Sequence, residues 1–155
     1  MKSFQSSSRG AAGRKEFEKA GEQITSLVSV FIPRRSVVEI NLVGERKMAW
    51  LNRTFKGRRG PAEVLTFRYP HDPASSDEDG MTAGEIYICW KKLAEGAARR
   101  RVPARAYLLR LVVHGMCHIE GYTHGDEKSE ARMEKAEMAY LGPFIPSRTL
   151  KRLFD

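Results

Sequence analysis

Cysteine is nearly absent: of 155 residues, only Cys89 and Cys117 carry a thiol. Both fall in stretches that read as a buried strand and a buried helix, so they give neither a disulfide framework nor a CxxC metal site and fit a reducing compartment. Long apolar runs are missing as well. The most hydrophobic stretches are broken by Arg110, His114 and Glu120, well short of the ~20 residues that a bilayer span needs, so a soluble chain with no membrane partner is expected. Gly-rich phosphate loops of the GxGxxG or GxxxxGK type, a Gly-x-Ser-x-Gly elbow and internal repeats are all absent, and no organic cofactor is expected. Acid is in short supply: 19 Asp and Glu face 27 Lys and Arg, a net charge of +8. That surplus favours a polyanionic partner through phosphate neutralisation and counterion release.

The length is that of one domain, and a chain of this size buries roughly 70% of its unfolded surface without help from metal or disulfide. The opening Met1–Gly13 has charge but no apolar core, so a secretory signal is not expected. It is read as a flexible segment (1–13) of a cytoplasmic protein; its Ser-rich, acid-free composition also fits the stub of an organellar transit peptide. Arg14 to Pro33 has the period of one amphipathic helix, with Phe17, Ala20, Ile24, Leu27, Val28 and Phe31 as core. Val37–Val43 alternates as a half-buried strand, Glu45–Phe55 reads as a short helix, and Val64–Arg68 and Glu85–Trp90 as strands. The acidic stretch from His71 to Gly84 reads as an exposed loop. Helices follow over 91–99, 104–119 and 127–141, with Pro103, Gly121 and Gly142-Pro143 as breaks. The expected fold is α+β (mixed α/β), a small sheet of three or four strands packed with about five helices in one domain over 14–142. A basic and apolar tail covers 143–155, and its Phe144, Ile145, Leu150, Leu153 and Phe154 favour docking on the domain.

The chemistry is concentrated in one short segment. Of four histidines, three lie in His114-Gly-Met-Cys-His118-Ile-Glu-Gly121-Tyr-Thr-His124. His114 and His118, four apart on a helix, project about 40° from each other and can share an ion. Gly121 ends the helix, letting the chain reverse so that His124 returns to the same point. Three neutral imidazoles suit one Zn²⁺ per chain and leave a fourth position open, the arrangement of a catalytic site. The remaining His71 reads as a surface residue. The same spacing occurs in metzincin peptidases, whose first histidine is followed by a glutamate base. Here that position is Gly115, which argues against peptide hydrolysis.

The segment resembles the signature of the YbeY family of metal-dependent endoribonucleases, His-Gly-x-Leu-His-Leu-x-Gly-Tyr-Asp-His, through His114, Gly115, His118, Gly121, Tyr122 and His124. Further blocks keep the family's order: Leu51-Asn52 with Phe55, Val64-Leu65-Thr66-Phe67 and Gly84-Glu85-Ile86-Tyr87-Ile88. Several positions depart from the family pattern, beyond Cys117 and Ile119 standing in for its leucines. Lys56 stands where the family usually has arginine, keeping the charge and losing the bidentate fork, which Arg58 or Arg59 can supply. Ala62-Glu63 replaces Thr-Asp/Asn, and Thr123 replaces the aspartate before the last histidine, offering only a neutral hydrogen bond to a ligand.

The resemblance implies a single-strand-selective, metal-dependent endoribonuclease acting in ribosomal RNA maturation, at the 3′ end of small-subunit RNA, and in ribosome quality control, with the small ribosomal subunit as partner. On that reading His114, His118 and Lys56 are the catalytic residues, and His114, His118 and His124 hold the metal. Lys56, Arg58, Arg59, Arg99, Arg100 and Arg101 bind RNA, with Arg105 beside them. The sequence names no general acid or base, so attack by water and by the ribose 2′-hydroxyl are both compatible with it. A non-catalytic ribosome-associated RNA-binding factor with a structural metal site is the alternative; a metzincin-like zinc peptidase is a weaker one.

Overall fold

The computed structural model describes residues 4–6, 11–31, 37–69 and 82–155. In chain order these form β1 (Phe4–Ser6), α1 (Ala11–Lys19), α2 (Gly21–Phe31), β2 (Val37–Val43), α3 (Glu45–Lys56) and β3 (Val64–Arg68). There follow β4 (Thr82–Cys89), α4 (Trp90–Arg100), α5 (Ala104–Glu120), α6 (Glu127–Leu141) and α7 (Ser147–Phe154). The strands make one mixed sheet in the order β1-β2-β4-β3. β1, β2 and β4 run parallel, with Ile40 opposite Ile86, and β3 closes the far edge antiparallel to β4, with Thr66 opposite Ile86.

The two faces of the sheet follow from the period-two alternation of its strands. Val38, Ile40 and Leu42 of β2 and Ile86 and Ile88 of β4 point into the main core, built around α5. Val43, Leu65 and Cys89 point the other way, into a smaller cluster closed by Met48 and Leu51 of α3. α5 is the central element, packing on α1, α2, α4, α6, α7 and the β3–β4 edge. It is buried nearly all round, so its apolar residues are not confined to one stripe, although Arg110 and His114 interrupt them.

Three sequence expectations are corrected in detail, and the docking favoured for the tail is found. The segment read as one helix from Arg14 is two, parted at Ala20 just before Gly21, a residue whose backbone freedom makes it a poor helix interior. Phe4–Ser6, placed in the flexible leader, pairs with β2 as the parallel edge strand. β4 starts at Thr82, three residues earlier than expected, because its register with Val37 of β2 extends it. The tail folds as α7, whose Leu153 is fully buried and whose Phe154 ring lies 4.2 Å from the Arg110 guanidinium. There are thus seven helices among the described residues, where about five were expected. The loop carrying His71, and the side chains of Val28 and Phe31, lie outside the described residues.

Close approach is demanded at three buried glycines: Gly96, where a Cβ would meet the Tyr107 ring and the Glu63 carboxylate, and the two beside the sheet edge, Gly84 and Gly115. A Cβ at Gly84 would lie 2.6 Å from the Phe67 carbonyl oxygen and 2.9 Å from Ile119 Cδ1, so the β3–β4 pair and α5 come together only without a side chain there. A Cβ at Gly115 would lie 2.7 Å from Ile86 Cδ1 and 3.0 Å from Thr66 Oγ1. Gly84→Ala should destabilise the protein by about 1–3 kcal/mol, because the obstructing oxygen belongs to the backbone and cannot rotate away. Urea unfolding measures this, and an unchanged midpoint would contradict it.

Candidate metal centre

The site forms where α5 ends. Gly121 adopts φ +105°, a left-handed conformation that residues with a Cβ rarely reach. The Tyr122 N–H closes the turn by donating to the Cys117 carbonyl at 2.9 Å, the wider-spanning bond of a Schellman motif whose other bond runs from the Gly121 N–H to the His118 carbonyl. The Tyr122 carbonyl then faces back toward the helix and accepts from His118 Nδ1 at 3.0 Å. After His124 the chain starts α6 at Asp126, whose carboxylate caps the Ser129 N–H at 2.7 Å. α6 returns along α5 and brings the buried carboxylate of Glu137 to 2.8 Å from His114 Nδ1.

These partners decide the tautomers. A carbonyl and a carboxylate only accept, so His118 and His114 each carry their proton on Nδ1 and leave Nε2 as a bare lone pair. The two Nε2 atoms lie 3.1 Å apart, close to the roughly 3.3 Å between donors around a tetrahedral zinc ion. Two such lone pairs at that distance suit ligation of one shared cation. Burial, then the neighbouring His114 ring, push the His118 pKa below its usual value, which favours its neutral form. His124, exposed on the loop, completes a group whose ligand atoms all lie within 4.8 Å of one another. The donor set fits a metal ion held by His114, His118 and His124.

The centre opens into a cleft of about 280 Å³ at the β3 edge of the sheet. Lys56 lines it from the end of α3, Arg58 from the loop that follows, and Arg68 from the end of β3. The basic loop is pinned on both sides. Asn52 Nδ2 donates to the Gly60 carbonyl at 2.8 Å and the Arg58 N–H to the Asn52 carbonyl at 3.2 Å. Glu63 accepts from the Tyr107 hydroxyl at 2.6 Å and from Arg99 at 3.2 Å; burial and this bond raise the Tyr107 pKa to about 12. The thiol of Cys117, directly before His118, is likewise pushed up by burial to about 12, which leaves it inert at neutral pH.

The sequence-predicted site residues separate in space. Lys56 and Arg58 share the cleft with the three histidines, while Arg59 is exposed on the same loop and does not line it. Arg99 is bound to Glu63, and Arg100 lies 4.8 Å from the Tyr107 ring and bonds the Gly96 carbonyl. Arg101 and Arg105 are exposed, away from the cleft lining. Thr123 is exposed; the ring hydrogen bonds of His114 and His118 go to Glu137 and Tyr122 instead. Arg68 and Glu137 were missed. Glu137 was visible as a lone acid on the apolar stripe of α6, four residues after Met133 and four before Leu141.

Residues 4–144 match the family description Endoribonuclease YbeY. The chain belongs to the YbeY family. A family relative from Cupriavidus necator, Endoribonuclease YbeY, is 32% identical over 121 residues, which are 74% of this chain and 59% of that protein. One from Methylococcus capsulatus is 36% identical over 109 residues, 70% of each chain. The chain thus spans less than two thirds of the length of the Cupriavidus protein. The fold is similar to the solution structure of a Thermotoga maritima protein, with a TM-score of 0.56 and 24% identity over 93% of this chain and 91% of the other.

Two outcomes are expected. Glu137→Gln should weaken metal binding about 10- to 100-fold, because the His114 ring loses its anionic anchor; titration calorimetry with Zn²⁺ measures it, and unaltered affinity would remove Glu137 from the site. Because the folded chain protonates His118 at lower pH than the unfolded chain, the associated stability is present above pH 6.5 and lost as pH falls below it. The melting temperature of metal-free protein should therefore drop between about pH 7.5 and about pH 5, with a shallower slope for His118→Asn. Parallel slopes for the two proteins would contradict this.

Proposed function

We propose that this YbeY-family chain is a metal-dependent endoribonuclease that cleaves single-stranded RNA, with one Zn²⁺ held by His114, His118 and His124. The observation that carries the reading is the composition of the cleft. Its lining sets three ligating imidazoles beside Lys56, Arg58 and Arg68, and includes no carboxylate among the described residues. Such a cleft fits a phosphodiester far better than a peptide. The peptidase alternative also needs a glutamate at position 115, where even one carbon would meet Ile86 and Thr66.

When bound, the ion supplies Lewis-acid polarisation of a phosphate oxygen and lowers the pKa of water toward ~7. The chain's own residues do the rest. Glu137 and the Tyr122 carbonyl keep the His114 and His118 protons on Nδ1, so that Nε2 stays a ligand. Arg58 and Arg68 offer the planar forks that grip phosphate oxygens, and Lys56 a compact charge, so the family's arginine at position 56 is compensated nearby. The relatives' printed name, endoribonuclease, supports the same chemistry. The proposed setting is ribosomal RNA maturation at the 3′ end of the small-subunit RNA and ribosome quality control, in the cytoplasm, with the small subunit as partner. No helix among the described residues is long and apolar enough to cross a membrane.

Cleavage of a labelled single-stranded ribosomal RNA fragment by metal-quantified protein tests the reading. His114→Ala/His118→Ala should lose both the bound zinc and the cleavage while keeping the fold by circular dichroism. Equal cleavage by wild type and variant would point to a contaminating nuclease and leave a metal-bearing RNA-binding factor.

A further inference from the structure

Two of the most exposed large apolar side chains adjoin each other on α3. Trp50 is 52% and Phe55 58% exposed, and their rings meet edge to face at 6.0 Å and 89°. Aromatic rings left in water forgo burial that would stabilise the fold. These two are nevertheless held in place. Phe55 rests edge-on against Phe67 at 5.3 Å, and Phe67 against Tyr87 at 5.8 Å. The inner pair is half-buried over the small core cluster under α3.

Charge flanking the outer pair along α3 and the loop after it is mostly positive, while the carboxylate of Glu85 is engaged by the Tyr87 hydroxyl at the inner end of the aromatic row. Arg46, Lys47 and Arg53 stand four before, three before and three after Trp50, so they are its neighbours on the helix surface. Lys56, Arg58 and Arg59 follow Phe55. Glu45 is the one acid between residues 45 and 60, and Lys91 already binds it at 2.7 Å. The patch is continuous with the metal cleft through a single side chain: Lys56 lines the cleft and holds its ammonium 5.3 Å from the Phe67 ring.

We propose that Trp50 and Phe55 form a base-stacking platform for single-stranded RNA, whose strand then passes over Lys56 into the three-histidine cleft. The inference rests on the ribonuclease reading and extends it to a second contact surface. Every unpaired base offers a π-face to an exposed ring, while the flanking cations take the phosphates, so binding tolerates sequence and requires unpaired bases. A duplex hides those faces in its own stack. The platform therefore accounts for single-strand selectivity from this chain's residues, which the cleft alone, gripping only phosphate, does not.

The test compares a labelled mixed-sequence oligoribonucleotide with an abasic strand of equal length. Each is bound to wild type, Trp50→Ala/Phe55→Ala and Trp50→Leu/Phe55→Leu at one salt concentration, with folding checked by melting temperature. Wild type should bind the base-bearing strand about tenfold or more tightly than the abasic one. Both variants should lose that advantage while keeping wild-type affinity for the abasic strand. The leucine variant retains apolar packing, so a loss common to both belongs to the aromatic faces. Variants that keep the advantage would overturn the proposal. So would a wild type with none, which would leave the rings to a protein partner. Cleavage by the same preparations separates the two readings. Base-dependent binding lost in the variants, without wild-type cleavage, upholds the platform and removes the ribonuclease. Cleavage with unchanged variant binding does the reverse.

Discussion

The reversal at Gly121 is the constraint on which the site depends. At φ +105° the chain leaves α5 in a direction that a side-chain-bearing residue would resist, and two consequences follow from one turn. The Tyr122 N–H satisfies a carbonyl at the helix end, while the Tyr122 carbonyl fixes the ring of His118. The same reversal carries His124 back toward the pair on the helix and launches α6 antiparallel to α5, which is what brings Glu137 to His114. Helix termination, imidazole orientation and tautomer choice are thus one structural event.

Glu137 gives that event its electrostatic logic. A buried carboxylate is tolerated only with partners, and Glu137 has two charges or protons near it. The His114 Nδ1–H is at hydrogen-bond distance, and the guanidinium of Arg110, one turn earlier on α5, interacts with it electrostatically. Arg110 is itself partly desolvated, which pulls its pKa down, and its outer side is covered by Phe154 of α7. The C-terminal helix therefore contributes to the setting of the three-histidine group although none of its residues lines the cleft.

The sheet contributes through its edge. Alternation sends even-numbered residues of β4 toward α5 and odd-numbered ones toward α3, so the two helices lie on opposite faces and could not share a site across the sheet. They meet because β3 is an edge strand, around which the pinned loop from Gly57 to Glu63 brings Lys56 and Arg58 to the histidines. Glycines at 84 and 115 allow that edge to sit against α5 with no side chain between, which also closes the position where a peptidase would carry its base.

Local chemistry was legible in the sequence. The helix pair His114 and His118, the stop at Gly121, the returning His124 and the alternation of β2 all follow from short-range geometry, and their residues determine them wherever the chain folds. Family blocks added the ribonuclease reading. What the sequence left open were contacts between elements distant along the chain. Glu137 reaches His114 across 23 positions. Arg99, read as an RNA-binding cation, also pairs with Glu63 across 36. Short-range spacing determines which groups can point together, because helix and turn geometry repeat. Only the tertiary structure decides which of them are already occupied, because a partner from another element is set by packing that no local pattern encodes.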